Sequence, residues 1–274
     1  MLRCEDISVE LGGQPILRHV SLTIASGGLV GVLGPNGSGK TTLFRVVSGA
    51  LKPKEGRVWL DDVNISTLSS IQMARRLAVV PQETHLALDY SVLELVLMGR
   101  YPHLGPFEVE GPKDLASAHA ALSATGTDHL AERAFSTLSG GEKQRVVIAS
   151  ALAQLGEGTS EAGAKGRVLL LDEPTASLDL KYQLEVAALL RRLHDRQDIT
   201  IVLSTHDVQF AARLCNELVL LGEGRVLAQG TPAAVLTGEQ IAALYGITTS
   251  QAAPFALTRR RGPSGPRAAE GAES

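Results

Sequence analysis

Aromatic side chains are scarce: five Phe, four Tyr and one Trp make up 4% of the 274 residues. Any core must therefore be aliphatic. A basic excess is also lacking, since 26 Lys and Arg stand against 29 Asp and Glu, a formal charge of −3. That balance argues against a chain built to coat nucleic acid. No stretch approaches the roughly 18 consecutive apolar residues of a membrane span. The opening Met1-Leu2-Arg3-Cys4-Glu5-Asp6 has no basic segment followed by an apolar run, so no signal peptide is predicted. Only two cysteines occur, Cys4 and Cys215, too far apart for metal or redox spacing; both are expected to be reduced thiols. Internal repeats and heptads are absent. What remains is 44% hydrophobic and 20% charged, an ordinary globular balance. The length fits one large domain or two small ones.

Short β-rich runs alternate with helical ones. Val30 to Leu33, Leu77 to Val80, Arg167 to Leu171 and Thr200 to Leu203 are nearly continuous apolar segments. Strands of that kind are buried on both faces, which predicts a parallel sheet inside an α/β domain. The opening third differs. Ile7 to Glu10, Val20 to Ile24 and Arg57 to Leu60 alternate and are broken by Gly, which predicts an antiparallel edge. Residues from about Thr84 to Gln154 are expected to be mostly helical, with a Pro- and Gly-rich loop from Tyr101 to Pro112. The polar segment 156–166 is expected to be an exposed insertion. From about residue 248 the composition drifts to Ala, Pro, Gly, Ser and Arg, which predicts a flexible C-terminal tail over 248–274.

Gly34-Pro35-Asn36-Gly37-Ser38-Gly39-Lys40-Thr41 fits the phosphate-binding pattern G-x-x-x-x-G-K-[S/T] in full, between an apolar strand and a helical run. The glycines let backbone N–H groups turn inward around a phosphate, and the helix start adds its positive dipole end. Lys40 is expected to reach the β and γ phosphates of a nucleoside triphosphate, the Thr41 hydroxyl to ligate Mg²⁺, and Thr42 is a further candidate for a phosphate contact. A second group stands at the end of Val168-Leu169-Leu170-Leu171-Asp172-Glu173. Carboxylates at the C-terminal end of a buried strand lie where an α/β sheet presents its ligand site. Asp172 is the expected Mg²⁺ ligand opposite Thr41. Glu173 is placed to polarise an attacking water.

Leu138-Ser139-Gly140-Gly141-Glu142-Lys143-Gln144-Arg145 resembles the signature motif of ATP-binding cassette (ABC) proteins, which generic phosphate-loop enzymes lack. The remaining family motifs follow in order over about residues 1–247. Gln82, after Val79-Val80-Pro81, resembles the Q-loop glutamine, Ser177-Leu178-Asp179 the D-loop, and His206 the switch histidine. The resemblance implies an α/β P-loop ATPase with a mixed RecA-like core, an antiparallel β edge and an inserted helical subdomain at about 84–154. It also implies ATP and Mg²⁺ as ligands and a head-to-tail homodimer. Ser139, Gly140 and Gly141 of one subunit would then close over the γ-phosphate held by Lys40 of the other, with Asp179 acting across the same interface. In this setting Gln82 would ligate Mg²⁺ or water, and His206 would sense the γ-phosphate or position the water. Ser139 and Glu142 also form an S-x-x-E capping box that predicts a helix to about Ala153. One departure stands out: many members stack an aromatic on adenine near the position of Leu11-Gly12-Gly13, and none is present.

Arg100-Tyr101-Pro102-His103-Leu104-Gly105 resembles a stretch in the ATPases of iron–siderophore, haem and cobalamin importers. Ala149 to Leu155, followed by a polar insertion, is most similar to haemin-import ATPases. This implies an ATP-hydrolysing subunit working with integral membrane permease subunits, and indirectly with a periplasmic binding protein, at the cytoplasmic face of the inner membrane. No nucleic-acid partner is expected. The alternatives are a soluble ABC ATPase acting on ribosome or DNA, and the motor of an exporter.

Overall fold

A strand that is apolar at every position must be covered on both faces, and the structure answers this with two cores divided by one sheet. A computed structural model describes residues 1–84, 86, 88–156, 166–176, 178–196 and 199–257. The order begins β1 (Leu2–Leu11), β2 (Gln14–Ile24), β3 (Leu29–Leu33), α1 (Lys40–Val47), β4 (Glu55–Leu60) and β5 (Val63–Asn64). It continues α2 (Ser70–Ala74), β6 (Leu77–Val80), α3 (Val92–Met98), α4 (Pro112–Thr125), α5 (Gly140–Leu155) and β7 (Arg167–Leu171). Then come α6 (Leu180–Arg196), β8 (Ile199–Thr205), α7 (Val208–Leu214), β9 (Glu217–Gly222), β10 (Arg225–Gly230), α8 (Pro232–Val235), α9 (Gly238–Tyr245) and α10 (Thr249–Ala252).

The main sheet runs β10-β9-β3-β8-β7-β6, parallel throughout except for β10 on β9. Successive side chains of a strand point to opposite faces, and here they divide cleanly. Leu29, Leu33, Leu169, Leu171, Ile201 and Leu203 enter the core shared with the helices α3 to α6. Val30, Val32, Val168, Leu170 and Val202 enter the core shared with α1 and the second sheet. That sheet, β2-β1-β4-β5, is antiparallel. Each fully buried Leu or Val contributes about 1.5–3 kcal/mol of transfer free energy. Aliphatic side chains therefore carry the fold. Both cysteines lie in these cores, and burial pushes each thiol up to about 12, so they remain protonated.

The architecture is the mixed α/β one expected, with two additions. β9 and β10 extend the sheet beyond the strands singled out from the sequence; β9, nearly all apolar, carries the same signal as the others. The chain past residue 248 departs from the expected flexible tail as far as Leu257. A capping box at Thr248 starts α10, Ala252 is fully buried, and the Leu257 N–H donates to the Leu236 carbonyl at 2.9 Å. The insertion at 157–165, the tail from 258 and Ser177 lie outside the described residues.

The helical segment is built from α3, α4 and α5, which runs two residues past its expected end. Ser91 and Ser139 open α3 and α5 with reciprocal capping boxes to Glu94 and Glu142. At the end of α3 the backbone of Gly99 lies against α5, where an added Cβ would sit 2.4 Å from the Ser150 carbonyl oxygen. Gly99→Ala is therefore expected to force the two helices apart and lower stability by about 1–3 kcal/mol, the usual cost of overpacking. Denaturant unfolding of the two proteins measures this directly.

Candidate active site

Parallel register sets the site. Leu33 pairs with Thr205, Leu203 with Leu171, and Leu171 with Val80. The C-terminal ends of four strands thus stop at one level, and the motifs expected to work together begin there. The Gly34 N–H donates to the Thr205 carbonyl at 3.2 Å, and the Asp172 N–H to the Val80 carbonyl at 2.9 Å.

The loop from Gly34 to Lys40 is shaped by its glycines. Gly37 and Gly39 have φ of +80° and +102°, a region that favours glycine. A Cβ on Gly34 would sit 2.2 Å from the Leu221 carbonyl oxygen. Gly39 caps α1 without a side-chain hydrogen bond, and the first turn of α1 holds no acidic residue. The hydroxyl of buried Ser38 has no partner among the described residues. Open helix-start N–H groups together with an orphaned buried hydroxyl suit an anion such as a nucleotide phosphate. Lys40, 5% exposed, donates to the Gly34 and Pro35 carbonyls at 2.9 and 3.1 Å and pairs with Glu173 Oε1 at 3.1 Å. Asn36 and Thr41 are exposed, and Thr42 is half-buried.

Glu173 is held unusually. Its φ is +45°, a left-handed conformation that costs a non-glycine residue about 1–2 kcal/mol. Ser204, fully buried in β8, offsets that cost: its Oγ accepts from the Glu173 N–H at 2.9 Å and donates to Asp172 Oδ1 at 2.5 Å. One hydroxyl therefore orients both carboxylate residues. The other Glu173 oxygen meets His206 Nδ1 at 3.1 Å. Lys40, Asp172, Glu173 and His206 form one contiguous polar group at the strand ends.

A second group lies apart. Ser139 caps α5, and hydrogen bonds from its hydroxyl and backbone N–H hold the Glu142 carboxyl below its ordinary range. A Cβ on Gly140 would meet Leu178 at 3.4 Å, and Gly141 lies under the ring of Tyr182, where a Cβ would come within 2.4 Å. Asp179 accepts from the Tyr182 N–H at 3.2 Å. Signature and D-loop residues are thus neighbours on one surface. Among the described residues no hydrogen bond or ion pair joins Ser139, Gly140 or Gly141 to the phosphate loop. Gln82 lies just past β6 and is exposed.

The family model described as "ABC transporter" matches residues 17–176. The chain belongs to the ABC transporter family. It is 43% identical over 248 residues to the hemin import ATP-binding protein HmuV of Bordetella pertussis, covering 90% of this chain and 92% of that one. The cobalamin import ATP-binding protein BtuD of Halobacterium salinarum is 42% identical over 87% of this chain and 57% of its own length. Among solved structures, cbiO1 of Clostridium perfringens, part of the ABC transporter complex cbiONQ, superposes with a TM-score of 0.75 at 30% identity, over 88% and 92% of the two chains. A dimeric ATP-binding cassette in a post-hydrolysis state bound to ADP and Pi superposes with 0.69 at 26% identity, over 85% and 99%.

This ABC cassette is an ATPase. Two of the site's supports were not identified from sequence. Ser204 is not singled out by any motif, yet a hydroxyl buried inside an apolar strand is a signal in itself. Tyr182 left no trace, because its contact with Gly141 is tertiary. Ser204→Ala removes two hydrogen bonds and leaves the Glu173 N–H buried without a partner, a loss of about 1–3 kcal/mol. The variant is expected to unfold at lower denaturant and to hydrolyse ATP more slowly than its stability loss alone explains, measured by phosphate release under conditions where it is fully folded.

Proposed function

We propose that this cassette is the motor of an ABC importer whose cargo is haemin. Near-full-length identity of 43% to a haemin import ATP-binding protein carries the reading. The exposed apolar side chains of the helical lobe, Leu88, Tyr101, Phe107 and Val109, give a membrane-embedded permease a surface to bind. Among the described residues no helix is long and apolar enough to cross a membrane. In this reading the translocation path belongs to the permease, with a periplasmic binding protein delivering cargo to it, and the cassette works at the cytoplasmic face of the inner membrane.

Catalysis follows from the constellation at the strand ends. Lys40, paired with Glu173 at 3.1 Å, exchanges that carboxylate for the γ-phosphate when ATP seats in the loop. Glu173 is then released to face the attacking water as general base, with His206 on its other oxygen keeping water and γ-phosphate aligned. Thr41, Asp172 and Gln82 offer only oxygen donors, and no group of three or more His, Cys, Asp or Glu among the described residues forms a protein-only cage. Such a set suits Mg²⁺, which is commonly held by one or two protein oxygens plus substrate phosphates. When bound, the ion would neutralise charge on the phosphates. The helix start at Ser139, with Gly140, Gly141 and Asp179, supplies the other wall of a nucleotide site in a second copy of the chain. A homodimer therefore holds two nucleotides at one interface.

Glu173→Gln is expected to retain ATP binding while turnover falls by about 10²–10⁴-fold, the usual contribution of a general base. Uptake in a strain lacking this gene tests the cargo. Haemin uptake should be lost, and should return with the parent chain but not with Glu173→Gln. Loss of ferric siderophore or cobalamin uptake in its place would overturn the haemin assignment, and intact uptake of all three would overturn the importer reading.

A further inference from the structure

His206 has few restraints of its own. Its side chain is 49% exposed, and Nδ1 meets Glu173 Oε2 at 3.1 Å. Its position therefore depends on the backbone around it. Thr205 on one side is tied to Gly34 through its carbonyl. Asp207 on the other side donates its N–H to Thr205 Oγ1 at 3.1 Å, while its carboxylate caps α7 by accepting from the Gln209 and Phe210 N–H groups at 2.8 and 2.9 Å. The peptide between them has one further restraint from outside the strand. The Tyr245 hydroxyl donates to the His206 carbonyl oxygen at 2.8 Å.

Tyr245 is the last residue of α9, stopped by Gly246 at φ +64°. Ile241 and Leu244 bury the inner face of α9, and the Tyr245 ring packs beside them against the core. The ring is thus explained by packing. The hydroxyl is not, since a Phe would fill the same space. Burial, with the Asp207 carboxylate nearby, pushes the phenol up to about 12, so it stays a hydrogen-bond donor at ordinary pH.

We propose that Tyr245 is a positioning residue for ATP turnover: through its hydroxyl, α9 holds the His206 peptide so that the imidazole faces Glu173. The proposal rests on the reading of His206 as a water- and phosphate-aligning group. It assigns a part in catalysis to a residue about 40 positions along the chain, in a C-terminal helix that otherwise only covers the sheet.

The test is a double-variant cycle on the purified full chain, measuring steady-state ATP hydrolysis with Tyr245→Phe, His206→Ala and both together. Tyr245→Phe keeps the ring and is expected to lower kcat by about 2–10-fold, the range one hydrogen bond supports, with KM for ATP and the thermal midpoint close to the parent. In the His206→Ala background the same substitution should change kcat no further, because the carbonyl remains but the imidazole that the bond positions is gone. A lowered kcat that multiplies fully in the double variant would show that Tyr245 acts by another route and overturn the proposal. An unchanged kcat in Tyr245→Phe beside a depressed one in His206→Ala overturns it equally, leaving the role of His206 intact. If His206→Ala itself leaves kcat untouched, the reading of His206 fails first and the proposal falls with it.

Discussion

Everything at the candidate active site depends on the parallel register of four strands. Because Leu33, Val80, Leu171 and the end of β8 stop at one level, the phosphate loop, the carboxylates and His206 are brought close enough for Lys40 to reach Glu173 across the end of β8. The apolar composition of these strands makes that register hard to slip. Shifting a strand by one residue would turn its Leu and Val side chains into the wrong core, and here both faces are buried. The same aliphatic residues that hold the fold therefore fix the catalytic geometry.

Within that frame, charge is balanced locally. Lys40 is 5% exposed and Glu173 11%, so either left alone would bear a desolvation cost of several kcal/mol. Each satisfies the other, and Ser204 holds the pair's neighbours in place. In the proposed mechanism an incoming phosphate would compete for a lysine that already has a partner, which would couple nucleotide binding to release of Glu173. Gly140 and Gly141 lie apart from that group, against Leu178 and Tyr182, so in the proposed homodimer one chain would offer the loop of one site and the lid of another. In that proposal, closing either site takes a second copy.

Local motifs were the legible part. The loop Gly34 to Thr41, the pair Asp172 and Glu173, and the capping box at Ser139 each state their geometry within a few residues, because glycine conformations, strand ends and helix starts are short-range matters. The parallel sheet was legible from continuous apolar runs, although β9 passed unnoticed among the segments following α7. What could not be seen were contacts made across the fold: Ser204 between two carboxylate residues, Tyr182 over Gly141, Tyr245 on His206. Apart from the hydroxyl of Ser204 in its apolar strand, none involves an unusual residue or spacing. Past residue 248, composition pointed to a flexible tail. Its own capping box between Thr248 and Gln251, the buried Ala252 and the bond from Leu257 to Leu236 show how a segment of small residues is ordered against the rest of the fold.

The scarcity of aromatics gives their placement weight. Phe44 and Phe135 are buried in the two cores, and Trp59 pairs with Glu5 and Arg3 on the antiparallel sheet. Tyr182 and Tyr245 are used differently. One ring covers Gly141 near the start of α5, and one hydroxyl donates to the His206 carbonyl. Glycine at 141 is required where a ring lies that close, since any Cβ would collide with it. A rigid ring has only two side-chain torsions to restrain, so it transmits position at little entropic cost. Aliphatic residues can build the sheet, but they cannot donate a hydrogen bond to a backbone carbonyl, and at His206 that donor is a tyrosine.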